Sequence, residues 1–312
     1  MRTLNSLCSR PNRMIGPWVA VAVAISVAMS SGSCDAKPMT FQDLQVEVVG
    51  SGRPLIMIPG LNSAGAVWKE TCAALQPEVQ CHIVQLPGFA GLAPIKSEQW
   101  LHSMRDRVLA YAESAKLEQV SVIGHSLGGV LGMQLAIAAP TRIEHLVIVD
   151  SLPFLGGARS ADATADSVRP MAEGMRAGML GADEASYKAQ MRMGLTGMSN
   201  QSKHMDTLVQ WGEGSDRATT AQSMFELMTT DLRPELAQIR TPTLVLGAWA
   251  SYAAFGATRE STHATFDRQY AALEGVQIKL SDSGYHFLMW DDAAWLQHEV
   301  RAFLKPTAAA AD

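Results

Sequence analysis

The stretch "QVSVIGHSLGGVLGMQLAIAAP" (residues 119–140) decides the fold. It opens as an apolar strand and runs, with no spacer, into an apolar helix-forming segment stopped by Pro140. Between the two lies Gly124-His125-Ser126-Leu127-Gly128-Gly129, a Gly-x-Ser-x-Gly pattern in a strand–turn–helix setting. A turn this sharp forces Ser126 into a strained backbone conformation. Chain then passes close on both sides, where a Cβ at Gly124 or Gly128 would collide. The hydroxyl is lifted above the sheet at the start of a helix, whose partial positive charge favours an anionic intermediate. Five residues alone are weak evidence, but the strand before and the helix after make the signal specific.

The same rhythm continues on either side. Strands are expected at 44–52, 54–60, 81–88 and 144–150, and again at 241–247 and 276–281. Helices are expected at 64–75, 97–115, 260–273 and 291–304, the last with Asp291 as its N-cap. The strands are continuous apolar runs such as "PLIMIPG" and "EHLVIVD", which suit strands covered on both faces. The sequence therefore predicts an α/β protein with a largely parallel sheet. From Ser151 to Ile239 the strands stop. That segment reads as several short helices rich in methionine and is expected to cap the edge of the sheet. Its methionines read either as core filling or as an adaptable apolar wall over a pocket. The core thus divides into residues 37–150 and 240–306 around a cap at 151–239, with a disordered tail at 307–312.

Residues 1–36 stand apart. Arg2, Arg10 and Arg13 precede an apolar run from Trp18 to Met29, then "SSGSCDA". This is the layout of a secretory signal peptide. The run is about 18 Å long as a helix, short of the roughly 30 Å hydrocarbon core. The expected location is the periplasm or the exterior, with no stable membrane span after cleavage. A lipid anchor at Cys34 is disfavoured because Ser31 stands where a lipobox carries Leu. Without residues 1–36 the chain keeps 22 basic and 29 acidic residues. No basic stripe is present, which argues against nucleic acid as a partner. Cys72 and Cys81 remain, either bridged, as an exported protein tolerates, or as two buried thiols.

Several residues can carry chemistry. Ser126 is the candidate nucleophile. His286, in "SDSGYHFLMW" after the last strand, falls on the same sheet edge and is the candidate base. An oxyanion hole needs two backbone N–H groups. Leu127, directly after the serine, supplies one. The loop following Gly60 supplies the other, with Leu61 the best donor and Asn62 the second.

With these residues in their order, the chain resembles the α/β-hydrolase superfamily over roughly residues 41–305. The resemblance implies an eight-stranded, mostly parallel sheet, a helical cap after the sixth strand, and acyl transfer by a Ser–His–acid triad without cofactor or metal. Two departures stand out. Pro59-Gly60 replaces the His-Gly of many members, which leaves a backbone-built hole intact. Members usually also carry an Asp a few residues after the "PTLVLG" strand, where this chain has Ala248, Trp249, Ala250 and Ser251. The expected acid is then Asp150, at the end of the neighbouring strand. Glu260 and Asp267 are the competitors, and both fall in a helical stretch. Ser126 excludes the branches that place Asp at the elbow. The expectation is a serine hydrolase acting on an ester, thioester or lactone of a small apolar acyl or aromatic compound. An aminopeptidase or amidase is the alternative, and a non-catalytic binding protein is a further one. The substrate and the oligomeric state are not legible.

Overall fold

The computed structural model describes residues 38–305. The expected signal peptide at 1–36, with Cys8 and Cys34, and the expected tail at 307–312 lie outside the described residues. Eight strands form one sheet: β1 (Met39–Phe41), β2 (Leu44–Gly50), β3 (Arg53–Ile58), β4 (Val79–Gln85), β5 (Val120–His125), β6 (Ile143–Val149), β7 (Thr243–Gly247) and β8 (Gln277–Leu280). Their spatial order is β1-β2-β4-β3-β5-β6-β7-β8. The β1–β2 and β2–β4 pairs are antiparallel, and all the others are parallel. Strand β1 was not expected from the residues directly. It has three residues at the sheet's edge, too few to display a period.

The continuous apolar runs are explained by two cores, one on each face of the sheet. Ile56, Ile58, Val122, Leu146 and Ile148 pack with Trp100, Tyr111 and Leu131 on one side. Their neighbours Leu55, Met57, Ile123, Val147 and Val149 pack with Trp68, Leu296 and Val300 on the other. Alternation is present in the chain, but both faces are covered, so it does not show as apolar against polar. The covering helices are α1 (Lys69–Ala74), α2 (Trp100–Ser114) and α3 (Leu127–Ala138) in the first half of the chain. Cys72 in α1 and Cys81 in β4 form a disulfide inside the second core.

Four helices lie between β6 and β7: α4 (Ala165–Gly181), α5 (Glu184–Leu195), α6 (Ser202–Glu213) and α7 (Arg217–Thr229). Met171, Met175 and Met193 are exposed on this cap, so these three do not fill the core. Met198 and Met205 pack against the second core. Helix α7 is fixed to the core by polar contacts. Both carboxylate oxygens of Glu226 accept the Trp100 and Leu101 N–H groups at 2.7 and 2.8 Å. These are unpaired donors at the start of α2. The chain closes with α8 (Arg259–Gln269), α9 (Leu288–Asp291) and α10 (Ala293–Phe303). Among the described residues no helix is long and apolar enough to cross a membrane.

Candidate active site

Ser126 sits between β5 and α3 at φ 52°, ψ −117°. Left-handed φ is costly for a residue with a side chain, and it persists because the surroundings leave no alternative. A Cβ on Gly124 would lie 2.0 Å from the Gly128 carbonyl oxygen, and one on Gly128 would lie 2.3 Å from the Ile58 carbonyl oxygen. The Ser126 N–H donates to the Val149 carbonyl at 2.9 Å, which fixes the elbow to β6.

Gly60 brings the loop after β3 against this elbow. A Cβ there would stand 3.3 Å from Ser126 Cβ. Among the described residues, the N–H groups of Leu61, Asn62 and Leu127 donate to no protein acceptor. Leu61 and Asn62 lie in the loop after β3 and Leu127 opens α3, the two places expected to form an oxyanion hole. Asn62 has φ 56°, so the loop reverses at this residue.

His286 lies between β8 and α9. Its Nδ1 is 2.6 Å from Asp150 Oδ2. Asp150 follows β6 directly, at φ 44°, a conformation that Asp adopts more readily than most residues. Its other oxygen accepts the Ala248 N–H at 2.8 Å. Ala248 is the first residue of the loop in which the family usually keeps its acid. In this chain that loop supplies a backbone donor to the carboxylate of the next strand. The competing acids stand elsewhere. Glu260 is exposed in the first turn of α8, where its own N–H and Thr258 hold its carboxyl below the usual range. Asp267 is exposed and pairs with His263 at 2.8 Å.

Three residues have contacts at the site that the sequence does not reveal. His125 is 1% exposed and its Nε2–H donates to the His286 carbonyl at 2.9 Å. Its ring lies 4.5 Å from that of His286 and 4.8 Å from that of Phe287. Burial, then the neighbouring His286, push the His125 imidazole well below its ordinary value, so it is neutral. Asp291 does not cap the last helix; α10 begins at Ala293, after Asp292. The Asp291 carboxylate instead accepts the Ser199 hydroxyl at 2.6 Å and the N–H groups of Asn200 and Tyr285 at 3.1 Å. Tyr285 directly precedes His286, so the start of α6 is tied to the histidine loop. Thr220, in the cap, reaches the side chain of Asn62. Apart from the Tyr285–Asp291 bond, no local pattern marks these contacts, because they join segments far apart in the chain.

No hydrogen bond joins Ser126 Oγ to His286 in this structure. Such contacts are often long without substrate and tighten when it binds.

Comparison with known proteins shows the family. The model of the alpha/beta hydrolase family matches residues 55–297, and the chain belongs to that family. A pimeloyl-[acyl-carrier protein] methyl ester esterase from Vibrio campbellii is 34% identical over 117 residues, 38% of this chain and 44% of that enzyme. The chain therefore spans under half the length of that relative. A putative carbamate hydrolase RutD from Rhizobium rhizogenes is 25% identical over 278 residues, 84% of this chain and 98% of that protein. Among solved structures, a hydrolase from Pseudomonas aeruginosa superposes with a TM-score of 0.71 at 19% identity, covering 87% of this chain and 99% of its own. The enol-lactonase from Burkholderia xenovorans gives 0.68 at 16% identity, covering 84% and 96%. At these identities the structural likeness shows the fold alone.

Proposed function

We propose that the protein is a serine hydrolase that cleaves carboxylic esters of small apolar acyl or aromatic compounds, with Ser126 as nucleophile, His286 as base and Asp150 as acid. The observation that carries this reading is the 2.6 Å contact between His286 Nδ1 and a carboxylate that is 7% exposed, on the sheet edge that bears the strained Ser126. Asp150 holds the proton on Nδ1 and leaves Nε2 basic. Nε2 takes the Ser126 proton as Oγ attacks the ester carbonyl. The resulting oxyanion is received by the Leu61 and Leu127 N–H groups. Collapse expels the alcohol, which takes its proton from His286, and leaves an acyl-enzyme. Water, deprotonated by His286, then attacks the acyl carbon and releases the acid and Ser126. The names of the relatives, a methyl ester esterase and a putative carbamate hydrolase, support acyl chemistry of this kind. The test is turnover of purified protein on p-nitrophenyl esters of increasing chain length, with matching anilides beside them. Hydrolysis lost in Ser126→Ala supports the reading, and undiminished hydrolysis in that variant refutes it. Anilides cleaved in preference to esters would favour an amidase.

We infer further that the protein works in the periplasm or outside the cell. The support is the basic, then apolar, then small-residue start of the chain, together with the Cys72–Cys81 disulfide.

A further inference from the structure

We propose that Thr220, a residue of the cap, is a positioning residue for the oxyanion loop. Its hydroxyl lies 2.7 Å from Asn62 Oδ1, across 158 positions of chain. It also lies 2.9 Å from the Asp216 carbonyl one turn earlier in α7. The hydroxyl carries one proton, and the contact to Asn62 is the shorter of the two. Thr220 is 3% exposed, so water does not compete for this contact.

Both ends of the contact are built for it. The start of α7 is held to the core from several sides. Asp216 accepts the Thr219 N–H at 2.7 Å as the helix cap, and its own N–H donates to the Gly88 carbonyl at 2.8 Å. Gly88 fits closely there, because a Cβ on it would lie 2.6 Å from Thr219 Cγ2. Thr220 is therefore presented by a seated helix turn. At the other end, Asn62 has φ 56° and follows Leu61, whose N–H is the proposed second oxyanion donor. The Ser63 N–H closes this turn onto the Gly60 carbonyl at 3.2 Å. An N–H donor stabilises an oxyanion only if it is already aimed. Anchoring the Asn62 side chain fixes the left-handed turn and with it the direction of the Leu61 N–H. The cap is thus part of the catalytic scaffold, and the hole is complete only while α7 is seated.

This inference rests on the serine-hydrolase reading, and the experiment separates the two. Thr220→Val removes the hydroxyl and keeps the shape, while Thr220→Ser restores the hydroxyl. Each is compared with wild type in ester hydrolysis and in the rate of labelling by a fluorophosphonate probe, with Ser126→Ala as the blank. Thr220→Val is expected to lower kcat and the labelling rate about tenfold with KM within about twofold, and Thr220→Ser to recover most of the loss. Asn62→Gly allows the same backbone conformation without the side chain, so it tests the contact even if Thr220→Val fails to fold. It should show the same loss, and the double variant should be no worse than either single one. Labelled wild type with equally fast Thr220→Val, or equally fast Asn62→Gly where Thr220→Val does not fold, overturns this inference alone. A rise in KM with unchanged kcat also overturns it. Wild type that neither labels nor turns over esters overturns the serine-hydrolase reading and this inference with it.

Discussion

Both carboxylate oxygens of Asp150 are engaged at the site. One oxygen holds His286 at 2.6 Å and the other holds the Ala248 N–H at 2.8 Å. Asp150→Asn keeps the volume but presents an amide N–H₂ to one of these donors. The imidazole then loses both its preferred tautomer and the charge that stabilises imidazolium. Loss of a triad Asp in this way costs on the order of 10⁴ in kcat. The expected outcome is a collapse of kcat in Asp150→Asn, with Glu260→Gln within about twofold of wild type. Steady-state kinetics on one activated ester checks both, and a collapse in Glu260→Gln alone would move the acid to α8. Gly124 belongs to the same scale. A methyl group there would sit 2.0 Å from a backbone oxygen of the next turn, and that oxygen cannot swing aside as a side chain would. Gly124→Ala should fail to give soluble folded protein, or should lose several kcal/mol in urea unfolding.

Elements place these residues, and what was legible differs from one element to another. The β5–α3 elbow was readable because strand, turn and helix are contiguous, and steric exclusion permits only glycine at 124 and 128. Asp150 was reachable because strand ends share an edge, so a carboxylate missing after β7 directs attention to the end of β6. The sequence points to Asp291 as a helix cap because an Asp before an apolar helix ordinarily is one. Its actual contacts run to Ser199 and Asn200, 92 and 91 positions away, and no local pattern carries such a distance. Those contacts lead to a prediction about the histidine loop. Asp291→Asn turns an acceptor toward the Ser199 hydroxyl and two N–H groups into a group that is half donor. It should lower kcat about tenfold by loosening the loop that bears His286, while Tm falls only a few degrees. A drop in Tm with kcat unchanged would reduce Asp291 to a structural tie.

At the scale of the whole molecule, pH and redox conditions act through buried groups. Burial drives the His82 imidazole down to about 4, and Nδ1 lies 2.7 Å from the Tyr111 hydroxyl. In the unfolded chain the same group titrates near 6.5. Between those values the unfolded state binds the extra proton and the folded state does not, so stability falls as pH drops from about 6.5 toward 4. Buried, neutral His125 acts in the same direction. Calorimetry should show Tm decreasing over this range, and less steeply in His82→Gln. The disulfide gives the corresponding redox prediction. It closes a loop of nine positions between α1 and β4, which in the chain-entropy account stabilises the fold by about 2.5 kcal/mol. Both cysteines are buried, so the folded protein should resist mild reductant, and the loss should appear in chains made where the bridge cannot form. Cytosolic synthesis of residues 37–312 should therefore give protein with two free thiols and a lower Tm than protein recovered from the periplasm. Full-length chain should yield a mature N-terminus between Ser31 and Lys37 in the exported fraction. Mass spectrometry of the intact protein reads both the N-terminus and the two hydrogens lost on bridging. Protein that keeps residue 1 and stays in the cytosol with equal Tm would separate the disulfide from export and leave the basic, apolar start of the chain without the role proposed for it.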